Sequence, residues 1–225
     1  PEQLCWRRAK ILAVGGHDAF RQEFPATAEE AFVSAEKNNL IDALTVLRAR
    51  KRKVQGGGPL ILGVDPAGSG GDRFAVAFRR GYRVEKVIYR DKIYTPEAIA
   101  WIRGLIDEFE PARVFMDQGG LGAPIISMLK AIGPRYRDTI IGINFGATSQ
   151  AKKAYPKNAG PKRRRDEMWA RMKAWLKQED GVQIPDDDAL QADMTAPWIK
   201  NDLNNDLVLS TKEEMKAKSI RSPDL

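Results

Sequence analysis

Two aspartates in this chain, Asp65 and Asp117, end short apolar runs and lead straight into glycine-rich turns. Leu60-Ile61-Leu62-Gly63-Val64 precedes the first, and Arg113 to Met116 precedes the second. A buried strand that carries a carboxylate at its carboxyl end delivers it to the edge where open α/β sheets bind ligands. If the two strands are neighbours they lie about 4.8 Å apart, so both carboxylates can share one cation. Two bare carboxylates that close repel, and one takes up a proton. A divalent cation removes that conflict and adds Lewis acidity. Oxygen-only ligands favour Mg2+ or Mn2+ over zinc. Either aspartate taken singly has another ordinary role, capping the turn that follows it; the pair is what points to a cation.

Asp224, in Ser222-Pro223-Asp224, could supply a third carboxylate, or could start a helix. Asp72, in the turn after the first run, could complete a metal shell or close that turn through side-chain to backbone bonds. Asp186-Asp187-Asp188 follows a proline near no expected strand end and reads as a solvated turn. Other chemistries lack their residues. One cysteine, Cys5, and one histidine, His17, exclude a disulfide framework and a Cys/His zinc site. His17 lies in a polar, glycine-flanked turn and reads as a surface residue. No G-x-x-x-x-G-K-[ST] string occurs, so ATP hydrolysis is not expected of these residues. The Gly68–Gly71 turn opens no helix pattern and fails the dinucleotide fingerprint.

The formal charge is +7, and its location is informative. Between Gly146 and Arg165 stand Lys152, Lys153, Lys157, Lys162, Arg163, Arg164 and Arg165 with no acid among them, and the remainder is near neutral. A localised basic block suits a polyanion, although a solvated loop would look the same on charge alone. No apolar run approaches the roughly 18 residues of a membrane span, and no signal peptide opens the chain. A reduced, cytoplasmic setting is expected. The chain begins at Pro1, as a fragment or processed product would.

The elements that must position these residues follow from periodicity. Thr27 to Arg50 carries Phe32, Leu40, Leu44 and Leu47 at helical spacing. A basic stretch, Arg48 to Lys53, then Gly56-Gly57-Gly58-Pro59 marks a linker. Leu60 to Asp65 reads as a strand buried on both faces, and Phe74–Arg80 with Tyr82–Arg90 as a hairpin around Gly81. A helix is expected over Pro96–Phe109 with Thr95 as N-cap, a second buried strand over Arg113–Met116, a helix over Pro124–Ile132 and a strand over Thr139–Ile143. Arg164–Gln178 reads as an amphipathic helix with Met168, Met172, Trp175 and Leu176 on one face. A short strand over Leu207–Leu209 and a helical turn over Thr211–Ala217 close the pattern. This order predicts an α/β fold, a mixed β-sheet with parallel strands joined by crossovers and flanked by helices.

The strings LILGVDPAGSGGDRFAVAF, ARVFMDQGGLGAPIISML, RRRDEMWARMKAWL and SIRSPDL, in that order and spacing, resemble the nuclease domain of the large terminase subunits of tailed bacteriophages and related viruses. FRQEFPATAEEAFVSAE resembles the segment joining motor and nuclease in that family. The resemblance covers roughly Phe20 onward. It implies a ribonuclease H-like fold, residues 1–55 as the end of the motor connection and 56–225 as the nuclease domain. It further implies an acidic cluster with two Mg2+ or Mn2+ ions that hydrolyses concatemeric double-stranded DNA during packaging. By motif, Asp65 matches the first-strand aspartate, Asp117 the second acidic position, Asp224 the third and Asp72 an auxiliary one. Asn158–Arg165 resembles the Asn-Lys-Arg segment before a long helix, with extra residues intervening. Double-stranded DNA, a portal protein and the small terminase subunit are the implied partners, in the host cytoplasm. The family's amino-terminal ATPase motor has no counterpart here, and the chain stops one residue after Asp224. Two other readings stay open: a different ribonuclease H-like enzyme, of Holliday-junction resolvase or transposase type, and a non-catalytic module docking on DNA or a portal.

Overall fold

The computed structural model describes residues 2–13, 24, 39–67, 73–151, 160–201, 206–218 and 220. Among the sites expected from sequence, His17, Asp72, Lys152, Lys153, Lys157 and Asp224 lie outside these residues, as does the 27–38 part of the expected first helix. Helix α1 spans Glu2–Ala13. Helix α2, Ala43–Lys51, starts later than the periodicity suggests. Asp42 caps it, its carboxylate accepting from the Thr45 N–H at 2.7 Å and from the Thr45 hydroxyl at 2.8 Å. Leu40 precedes the helix and is instead tied through its N–H to the Pro197 carbonyl.

Strands β1 (Leu60–Asp65), β2 (Phe74–Arg80), β3 (Arg83–Arg90), β4 (Arg113–Asp117) and β5 (Ile140–Ile143) form one mixed sheet in the order β3-β2-β1-β4-β5. The hairpin strands pair antiparallel, β1 with β2 and β2 with β3, whereas β1–β4 and β4–β5 pair parallel. Gly81 turns the hairpin at φ +55°, a conformation L side chains resist, and a Cβ there would also press on the Gly57 carbonyl oxygen at 2.7 Å.

Between β1 and β4 the chain forms helix α3 (Thr95–Phe109), and after β4 come α4 (Gly122–Ile132) and α5 (Pro134–Thr139). The cap of α3 sits one residue before the expected Thr95: the Tyr94 N–H donates to the Glu97 carboxylate at 3.1 Å, and Thr95-Pro96 fills the first turn. One face of the sheet (Leu62, Val64, Val76, Phe78, Val114, Met116) packs against α3 and α4 in a core that includes Ile102, Ile106, Ile125 and Leu129. The expectation that β1 is buried on both faces is corrected. Its residues alternate, with Gly63 exposed and Ile61 half-buried, because the opposite face floors a cleft rather than a second apolar layer.

A second core closes over that opposite side. It joins Ile41, Val46 and Ala49 to Trp169 and Leu176 of helix α6 (Arg164–Leu176), to Ile184, and to Leu190 and Met194 of α7 (Asp188–Thr195). Strands β6 (Ile199–Asn201) and β7 (Leu207–Leu209) form a separate two-stranded ribbon, followed by α8 (Lys212–Ala217). Helix α6 ends two residues earlier than expected, and its buried stripe is rotated. Trp169 joins Leu176 inside, while Met168 remains 37% exposed. The aspartate triplet lies in an exposed turn and also clasps α2. Arg50 meets Asp186 and Asp188 at 2.7 Å, Lys51 meets Asp186 at 2.7 Å, and Asp187 caps α7. Among the described residues no helix is long and apolar enough to cross a membrane.

Two buried acids in the first turn of α6 tie it to its surroundings. Asp166 accepts from the Arg163 and Leu209 N–H groups, at 3.0 and 3.2 Å. Glu167 accepts from the Ser149 hydroxyl at 2.9 Å and from the Gln150 and Ala151 N–H groups, and pairs with Arg171 at 2.6 Å. Burial pulls the Glu167 pKa up, but these hydrogen bonds and Arg171 outweigh it and hold the pKa below its usual 4.5. A depressed folded pKa contributes stability that is fully present above the unfolded value and is lost as pH falls through the folded one. Glu167→Gln should therefore lower stability at pH 7 and make the loss of stability below about pH 4.5 shallower, as read by urea denaturation across pH. An unchanged acid limb would remove Glu167 from that role.

Residue 122, the first of α4, has a steric reason to be glycine: a Cβ there would overlap the carbonyl oxygen of Asp117. Gly104, exposed in the middle of α3, has nothing within 4 Å of its Cβ position. Gly122→Ala should cost about 1–3 kcal/mol by overpacking, and Gly104→Ala should add about 0.5–1 kcal/mol by raising helix propensity. Equal denaturation midpoints for the two variants would contradict the contact at Gly122.

Candidate active site

Strand β1 ends at Asp65 and β4 at Asp117, and the two strands are parallel neighbours. Their register runs Gly63 beside Phe115 and Val64 beside Met116, so the next pair along is Asp65 beside Asp117. Side chains alternate across a strand, which puts both aspartates on the Gly63–Phe115 face, away from α3 and α4. Neighbouring strands lie about 4.8 Å apart, so the two carboxylates stand within reach of a common ion. Each aspartate is half-buried.

The local chain fixes Asp117 firmly. Its Oδ1 accepts the Gly119 N–H at 3.0 Å, and the Gln118 N–H donates to Ile143 of β5 at 2.9 Å, prolonging the ladder past the aspartate. Gly122 then lets α4 start against the Asp117 backbone. On the other side, Asp65 pairs in register with Ala75 of β2, whose small side chain leaves the cleft open.

Both aspartates line a cavity of about 350 Å³ between the sheet and α6. Its floor includes Gly63, Ala75, Ala77 and Phe115, and its roof includes Met168, Met172 and Trp175. The walls are apolar, so charge at the mouth is weakly screened by water. Arg165 lines the same cavity, with Nη1 donating to the Ser210 carbonyl at 3.0 Å. Burial lowers the pKa of its guanidinium, Asp166 opposes that change and Arg163 adds to it.

The sequence-predicted residues thus fall into three groups. Asp65, Asp117 and Arg165 share one cleft. Arg164 turns to Glu167 at 3.3 Å, while Lys162 and Arg163 are exposed. Asp72, Asp224, Lys152, Lys153 and Lys157 lie outside the described residues. Among the described residues no group of three or more acids, histidines or cysteines could hold a metal, so the acids of the cleft are a pair. Two oxygen-only carboxylates side by side suit a hard divalent cation. The roof methionines and Trp175 were readable as an apolar helix face, but nothing in the sequence marked that face as a cleft wall.

The chain is similar in structure to the nuclease domain of the large terminase subunit gp2 of bacterial virus Sf6, solved with manganese and beta-thujaplicinol. The TM-score is 0.67 at 19% identity, over 83% of this chain and 94% of that one. A calcium-bound structure of the same Sf6 domain gives a TM-score of 0.65, also at 19% identity, with the same coverage of both chains. The large terminase nuclease from thermophilic phage G20c, with bound magnesium, gives 0.54 at 15% identity, over 78% of this chain and 88% of that one. No family model and no curated protein matches the sequence. The mixed sheet, its order and its flanking helices are the ribonuclease H-like fold of large terminase nuclease domains.

Proposed function

We propose that this chain is a metal-dependent endodeoxyribonuclease that cleaves concatemeric double-stranded viral DNA during genome packaging. The observation that carries the proposal is the pair Asp65 and Asp117, side by side at the carboxyl ends of adjacent parallel strands and open to one cleft. The fold shared with nuclease domains solved with manganese and with magnesium supports the same reading. Residues 56–225 would form the nuclease domain. Residues 1–55 would lead to a motor domain, with α2 seated on the second core.

In this reading Asp65 and Asp117 hold two Mg2+ or Mn2+ ions, with Asp224 as the third carboxylate and Asp72 as an auxiliary one. Bound there, such ions would supply Lewis acidity, making a bound water easier to deprotonate and offsetting negative charge that develops on the leaving 3′ oxygen. The chain supplies placement. The Gly119 N–H orients the Asp117 carboxylate, and the β1–β4 register holds Asp65 beside it. The apolar roof of α6 limits water at the reacting phosphate. Of the basic residues expected to bind DNA, Lys152, Lys153, Lys157, Lys162 and Arg163 would grip phosphates rather than bases, giving salt-sensitive, largely sequence-independent binding, whereas Arg164 pairs with Glu167 and Arg165 lines the cleft. The portal protein and the small terminase subunit are the proposed partners in the host cytoplasm, and they would set where cutting occurs.

Asp65→Asn and Asp117→Asn should each lower plasmid cleavage in Mn2+ by on the order of 1,000-fold, about 4 kcal/mol of barrier. Duplex binding measured in chelator should persist in both variants. Cutting at the wild-type rate by either one would sink the carboxylate assignment. Replacing the exposed pair Lys162 and Arg163 by glutamine should flatten the slope of log affinity against log salt by about 2, one per lost phosphate contact. An unaltered slope would reassign these two side chains to another surface role.

A further inference from the structure

We propose that Arg165, alone among the described basic residues Lys162, Arg163, Arg164 and Arg165, contacts the scissile phosphate, the one presented to Asp65 and Asp117. The proposal rests on the nuclease reading above and deepens it by naming a catalytic contact that is not a carboxylate. Three observations carry it.

The first is backbone placement. The Arg165 N–H donates to the Phe145 carbonyl at 3.1 Å. Phe145 lies two residues beyond Ile143, the β5 partner of Asp117. The first turn of α6 is therefore fastened to the same sheet edge that carries the two aspartates. The second is direction. Arg163 stands before α6 in extended backbone, and Arg164 and Arg165 leave the helix about 100° apart, so the three side chains take different directions. Arg163 is exposed, Arg164 is engaged by Glu167, and Arg165 lines the cleft with Asp65 and Asp117.

The third is the state of the guanidinium. Among the described residues no carboxylate lies within ion-pair distance of Arg165, and its side-chain hydrogen bond goes to the Ser210 carbonyl. An arginine has five N–H donors. None of its nitrogens is buried without a partner, and the residue lines the cleft that holds both aspartates. A planar fork in the cleft that the two carboxylates also line, under an apolar roof, is matched to a phosphodiester whose negative charge grows as the bond to the leaving oxygen breaks.

The test uses the full 225-residue chain with Arg165→Gln and Arg165→Lys. The readouts are kcat and KM for linear duplex cleavage in Mn2+, duplex affinity by fluorescence anisotropy in chelator, and Tm. Arg165→Gln should lower kcat by on the order of 100-fold, the effect of removing one donor to a developing charge, with affinity and Tm near the wild-type values. Arg165→Lys should recover part of that loss, because it keeps the charge and loses the fork. The Lys162→Gln/Arg163→Gln variant should show its loss in KM instead.

Wild-type kcat in Arg165→Gln, from a chain that itself cuts DNA, overturns the proposal and leaves the nuclease reading standing. Equal losses of kcat and Tm in the Gln and Lys variants assign Arg165 to holding Ser210 and also overturn it. A wild-type chain that binds duplex but cuts in neither Mg2+ nor Mn2+ overturns the nuclease reading, and this proposal with it.

Discussion

The structure is organised around one register. The parallel pairing of β1 with β4 brings the carboxyl ends of the two strands level, about one strand spacing apart, and with them Asp65 and Asp117. The fold invests in that placement. Helix α3 and the β2–β3 hairpin fill the sequence between the two strands, and the β1–β4 register brings the strand ends level. Gly122 lets α4 close in behind Asp117 without moving its backbone. Both aspartates open on the cleft that Arg165 also lines.

Much of the sheet was legible in the sequence because its signals are local. The apolar runs, the Gly81 turn and the Thr95-Pro96 helix start all fall within a residue or two of their observed places. The sequence also marked Asp65 and Asp117 as strand ends, but only topology makes them neighbours. The reading of β1 as buried on both faces failed for a physical reason. An apolar run with a glycine in it looks the same whether its second face meets another layer or the floor of a cleft.

Helix α6 was the least legible element in its roles. Asp166 and Glu167, charged and in a helix's first turn, look like solvated residues in sequence. They are buried because backbone N–H groups from β7 and from the 149–151 turn converge on them. Three consecutive arginines are alike as letters and different in space, since Arg163 precedes the helix and Arg164 and Arg165 leave it about 100° apart. The apolar stripe was found but rotated, with Trp169 taking the inner position that Met168 was expected to share.

The clasp between Arg50, Lys51 and the Asp186–Asp188 turn has a mechanical consequence. Chain entering from the amino-terminal side meets the Leu40 anchor on Pro197 and this clasp before it reaches β1. A pull from upstream would therefore reach the second core before the central sheet, and the strand ends that carry Asp65 and Asp117 lie behind that anchor.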